Sequence, residues 1–164
     1  MGIDLWVPRD RPPDAPAPVA SPKPEKPAAA ELPAGRVWTV VAAGDALLLG
    51  ELPMPPDRRL AHDIVRAAAG YPTESPAPIE FRESGGHSPG ALLAFLRGQM
   101  DRRRTHLVIV LGAAVSALEP PGAATEPFRW HDIQGVPCLA APGASELRAD
   151  PDLKQGLWRA LIHR

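Results

Sequence analysis

Proline is the residue that most limits what this chain can fold into. Of its 22 prolines in 164 residues, nine lie in Pro8–Pro33, where they alternate with alanines and single charges. Proline fixes φ and has no N–H to donate, so a stretch this dense in it cannot enter a helix interior or a sheet ladder. Pro12–Pro33, PPDAPAPVASPKPEKPAAAELP, is therefore predicted to be a disordered, extended and semi-rigid spacer. Where polyproline II persists, a segment of this length reaches on the order of 60 Å. The spacer divides the chain into a short peptide (1–11), a linker (12–33) and a globular domain (34–164).

Charge limits the partners. The chain carries 18 basic and 19 acidic residues, a formal charge of −1, and both residues 1–33 and the domain are close to neutral. A protein that neutralises many nucleic-acid phosphates usually shows a basic excess, so little direct nucleic-acid binding is expected. One cysteine, Cys138, excludes an internal disulfide framework and a cysteine-rich zinc site. No apolar run reaches the roughly 20 residues that cross a bilayer, and Met1–Trp6 lacks the basic flank and apolar stretch of a signal peptide. A soluble, cytoplasmic protein without membrane contact is the expectation.

Within the domain, apolar runs alternate with helical patterns. Arg36–Ala43 and Leu107–Leu111 are continuous β-branched and apolar runs, as in strands buried on both faces. Pro78–Phe81, Phe128–Trp130 and Val136–Ala140 read as shorter strands, the last two joined by a turn at Gln134-Gly135. Asp57 is predicted to cap a helix over 58–69 with Leu60, Ile64, Val65 and Ala68 on one face. Ser88-Pro89 opens a second helix carrying Leu92, Leu93, Leu96 and Met100, and a short one follows at Ala113–Leu118. Asp150-Pro151 caps the last helix, where Leu153, Leu157 and Leu161 share a face with Trp158 and Ile162. The alternation predicts a three-layer α/β/α domain with a mainly parallel sheet of about four to five strands.

No motif in the domain carries a complete chemistry. Gly85–Gly90 is glycine-rich ahead of a helix but lacks the Lys-Ser/Thr of a phosphate loop. The five histidines show no metal-ligand spacing, and His131-Asp132, the one adjacent His–carboxylate pair, reads as turn decoration. Cys138 sits in an apolar run as a small core residue, and Ser145 has no nucleophile-elbow context. Arg102-Arg103-Arg104 is the one basic run, placed where a loop must reach solvent before a buried strand. It reads first as a solvated loop and second as a contact for nucleic acid or an acidic partner. No catalytic residue, cofactor or metal is assigned.

Trp6 stands apart. With Ile3, Leu5 and Val7 it forms an apolar cluster that the proline spacer separates from the domain. The segment either folds back on its own domain or is a tethered peptide for another protein. Aromatic anchors are favoured at interfaces, and the spacer favours the second reading.

These residues resemble the psi subunit of bacterial DNA polymerase III, an accessory protein of the clamp loader. MGIDLWVPRDR at Met1–Arg11 is similar to the family's Gly-Ile, Trp, arginine signature. Val37–Ala43 with Gly44-Asp45 resembles its first strand and turn, and Leu147-Arg148-Ala149-Asp150-Pro151 before Leu157-Trp158 resembles its C-terminal end. The resemblance covers the two ends; the middle matches in pattern only, and the long linker departs from the family. It implies a bridging subunit of the polymerase complex, not itself an enzyme. Its N-terminal peptide would bind the clamp-loader gamma/tau collar through Ile3, Leu5, Trp6, Val7 and Arg9. Its domain would bind the chi subunit, and through it single-stranded-DNA-binding protein, in DNA replication.

The rival reading is a DNA-repair enzyme like the uracil-DNA glycosylases, or a degenerate relative of them. Such an enzyme needs a water-activating residue after the first strand and a histidine-bearing loop late in the chain. Here the first turn offers Asp45, and the late loop, Ala140–Ser145, has alanine where a histidine is wanted.

Overall fold

The computed structural model describes residues 35–70, 76–83, 90–118 and 126–163. The elements are β1 (Val37–Ala43), β2 (Ala46–Gly50), α1 (Pro55–Ala69), β3 (Ile79–Arg82), α2 (Gly90–Arg103) and β4 (Leu107–Leu111), then α3 (Ala113–Leu118), β5 (Trp130–Ile133), β6 (Val136–Ala141), α4 (Ala144–Ala149) and α5 (Pro151–Ile162). They form a mixed α/β domain around one six-stranded sheet of order β3-β1-β2-β4-β6-β5.

The sheet is mixed, not mainly parallel, and larger than the four to five strands expected. β2–β4 and β4–β6 pair in parallel, whereas β1–β2, β1–β3 and β5–β6 are antiparallel. Two tight hairpins account for β1–β2 and β5–β6, because a two-residue turn joins only antiparallel neighbours, and β3 adds to the outer side of β1 after α1. At Gly44-Asp45 the first turn residue is a glycine at φ 53°, the type II′ arrangement. At Gln134-Gly135 both residues have positive φ, 56° and 81°, the type I′ arrangement. β2, β3, β4 and β6 consequently run one way, and β1 and β5 run against them.

The central strands are apolar on both faces, so each residue's parity assigns it to one of two cores. Val41, Ala43, Leu48, Ile109, Leu111 and Leu139 face α1, α4 and α5, whose Ile64, Val65, Leu147 and Leu157 are fully buried. Trp38, Val40, Leu47, Leu49, Val108 and Val110 pack with Leu92, Leu96 and Met100 of α2 and Val115 of α3. Phe81 stacks on Phe95, ring centroids 4.9 Å apart, and ties the edge strand β3 to α2.

The helix signals are partly corrected. α1 starts three residues before the expected 58, with Pro55 and Pro56 in its first turn and Gly70 as a left-handed C-cap at φ 71°. Asp57 is not its cap: it lies inside the first turn, buried, where its carboxylate takes Arg148. Asp150 does cap α5, accepting from the N–H groups of Asp152 and Leu153. On α5 itself Leu157 is fully buried, but Ile162 is 76% exposed and does not share the buried face. Phe128, expected in a strand, precedes β5 at φ 65° and packs on the core. Gly156 of α5 makes room for it, since a Cβ there would lie 2.6 Å from the Phe128 ring. Ser88-Pro89, expected to open α2, lies outside the described residues.

Candidate functional site

The register divides every surface feature between two ends of the sheet. The carboxyl ends of β2, β4 and β6 lie together with the start of β1, because Thr39 pairs with Gly50 and Leu111 with Ala141. The opposite end holds the Gly44-Asp45 turn beside the start of β4, because Ala43 pairs with Ala46 and Ala46 with Leu107. Across it the His106 N–H donates to the Asp45 carbonyl at 2.9 Å.

This division separates the residues a glycosylase would have to combine. Asp45 is exposed at one end, and the late loop, which leaves β6 at Ala141, is at the other. The five residues of β4 between them span roughly 13 Å at the usual rise of a strand. The late loop is moreover built as a helix start. Gly143 donates its N–H to Glu146 Oε2 at 2.7 Å, closing the first turn of α4. Ser145 lies within that turn.

Clefts open among the described residues. One, about 420 Å³, lies beside β1 and β3 and is lined by Thr39, Glu51, Arg58, Glu80 and Arg82 among others. Its charges are satisfied locally. Arg58 donates to the Leu52 carbonyl at 3.1 Å and to Glu80 at 3.0 Å, Arg82 lies 3.7 Å from Glu80, and Arg36 lies 3.5 Å from Glu51. A crevice of about 260 Å³ sits at the carboxyl ends of β4 and β6, between the Gly112 turn and Glu146. Another, about 170 Å³, is mainly apolar and lies between α3 and the β5–β6 hairpin, with Val115, Leu118, Ile133 and Cys138 in its wall. His131 stands directly opposite Cys138 in the hairpin. Asp132 turns instead to its own loop, accepting the Gly135 N–H at 2.7 Å. His131 and Asp132 both line this groove, and Asp132 also holds the turn.

Among the described residues no group of three histidines, cysteines or carboxylates is placed to hold a metal, and no helix is long and apolar enough to cross a membrane. Ile3, Leu5, Trp6, Val7 and Arg9, the residues expected to bind the collar, lie outside the described residues, as does 84–89 with most of the glycine-rich turn. Arg102 and Arg103 are not in a loop: they form the last turn of α2, and Arg104 follows at φ 51°. The charged lining of the cleft beside β1 and β3 has no signal in the sequence. Its residues come from β1, β3, α1 and the segment after β2, and no local spacing connects them.

Comparison of the chain with protein-family models, with curated proteins and with solved structures gives no match.

Proposed function

We propose that this protein is a psi-like bridging subunit of a bacterial DNA polymerase III clamp loader, with an α/β/α three-layer domain tethered to an N-terminal collar-binding peptide. Ile3, Leu5, Trp6, Val7 and Arg9 bind the gamma/tau collar. The domain binds chi, which holds single-stranded-DNA-binding protein, and the chain does no chemistry of its own. The observation that carries the reading is the order of three sequence features: an apolar Trp-bearing peptide, a spacer rich in proline, and a domain whose end matches the same family's cap and Leu-Trp pair. The distance between Asp45 and the late loop supports it against the glycosylase reading, which needs both at one atom.

The test compares two tryptophans. Truncating a buried interfacial tryptophan costs about 2–4 kcal/mol, or roughly 30- to 1000-fold in affinity. Trp6→Ala should therefore abolish capture by gamma/tau at micromolar concentration and leave the melting temperature unchanged. Trp158 is half-buried against the core on the α1, α4 and α5 side. Trp158→Ala should lower stability by about 2–3 kcal/mol, below the full range for a completely buried ring, and leave collar binding intact in the folded fraction. If Trp6→Ala lowers the melting temperature and spares collar capture, the segment belongs to its own domain and the tethered peptide is wrong.

A further inference from the structure

The end of the sheet that carries the Gly44-Asp45 turn also carries the one basic run of the chain. Two of its arginines, Arg102 and Arg103, close α2, and Arg104 continues in the left-handed conformation. The backbone beneath them is fixed. The Arg104 N–H donates to the Asp101 carbonyl at 3.4 Å, the Thr105 N–H to the Met100 carbonyl at 3.1 Å, and Thr105 and Leu107 are buried. Arg102 and Arg104 are exposed and Arg103 is half-buried.

Elsewhere in the domain, Arg36, Arg58, Arg82 and Arg148 are each held by a carboxylate, while Arg59, Arg66, Arg97, Arg129 and Arg159 are scattered singly and have no ion pair among the described residues. Among the described residues none of the three arginines in the run is in an ion pair, although Asp101 precedes them on the helix and Asp45 lies at the same end of the sheet. The helix C-terminus accounts for attraction of one or two cations to its carbonyls. It does not account for a third beyond the helix, unpaired, on a rigid turn. The whole chain is neutral, but net charge averages over the surface, and a phosphate meets only the charges within about a Debye length, roughly 10 Å in ordinary buffer.

We infer that Arg102, Arg103 and Arg104 form a contact surface for the phosphates of a single nucleic-acid strand. Three guanidiniums match phosphate geometry better than three ammonium groups would, since each presents a planar fork of donors. No base-reading groups accompany them, so the contact is independent of sequence and weak. It goes beyond the bridging function proposed above and stands or falls separately from it.

Fluorescence anisotropy of a labelled 20-nucleotide oligo-dT, titrated with the full-length chain at several salt concentrations, tests this. Each neutralised phosphate on a single strand contributes about 0.7 to the slope of log K against log salt, so three give about 2. Raising salt from 50 to 200 mM should weaken binding roughly 20-fold. The variant carrying Arg102→Ala, Arg103→Ala and Arg104→Ala should lose most of that slope while keeping its melting temperature. Arg159→Ala, an exposed arginine in the last turn of α5, should bind as the parent does. Basic residues in 1–33 contribute equally to all three proteins, so the difference in slope isolates the run. An unchanged slope in the triple variant overturns the inference, as does absence of binding at 20 mM salt. Loss of a protein partner by the triple variant without any effect on oligonucleotide binding also overturns it, and assigns the run to an acidic protein surface.

Discussion

The ion pair between Asp57 and Arg148 joins α1 to α4 across 91 positions of sequence at 2.7 Å. Its two members are unequally placed: the Asp57 side chain is 2% exposed and that of Arg148 is 42% exposed. Removing either one is therefore not equivalent. Arg148→Ala leaves a buried carboxylate with only the positive end of α1 to stabilise it, and should cost about 2–3 kcal/mol. Asp57→Asn leaves a guanidinium that water already reaches, and should cost about 1 kcal/mol. Chemical denaturation of the two variants should show that order; equal losses would mean the pair acts as a surface contact. A second residue-scale test concerns close packing. Gly156→Ala places a Cβ within 2.6 Å of the Phe128 ring, so it should destabilise by about 1–3 kcal/mol despite alanine's better helix propensity. Adding Phe128→Leu should recover part of that loss; a gain in stability from Gly156→Ala alone would show that the ring moves aside freely.

At the scale of elements, the two hairpins decide the topology and differ in how well their residues suit them. Gly44 is the residue a type II′ turn requires at its first position, whereas Gln134 occupies a left-handed position of a type I′ turn that favours asparagine. Gln134→Asn should therefore raise stability by about 0.5 kcal/mol, visible as a small upward shift in denaturation midpoint with an unchanged slope. A loss would indicate that the glutamine side chain makes a contact of its own. The contrast also shows where sequence was informative. β1, β4 and the β5–β6 turn were legible because β-branched runs and a Gln-Gly pair are local signals. β2 was not: Ala46–Gly50 is leucine-rich, buried at every position and only five residues long, a pattern shared by strand and helix. Without β2 the β1–β2 hairpin reads as a single strand, and the antiparallel pairings of β1 with β2 and β3 are lost from the expected sheet. Asp57 was misread for a related reason, since a carboxylate at a helix start suits both a cap and a buried partner, and Arg148 is remote in sequence. The proposed collar residues rest on a motif alone and lie outside the described residues. The clefts, assembled from distant elements, were not legible at all.

At the scale of the whole molecule, both cores close among the described residues, from Trp38 onward. Deleting residues 1–33 should therefore leave the domain's melting temperature within about 2 °C of the full chain, while abolishing collar capture. A large drop would mean that the N-terminal segment contributes to the fold. The segment enters the domain through β1, and β1 is not an edge strand: it is clamped by β2 along Thr39–Ala43 and by β3 along Val37–Val40. A pull on the chain ahead of Val37 would run along a strand held on both sides, with its hydrogen bonds perpendicular to the pull. Rungs arranged this way share a load in shear, whereas the same strand at an edge, lifted sideways, would give up its bonds one at a time. A tether of the kind proposed above would meet the sheet at a mechanically strong point.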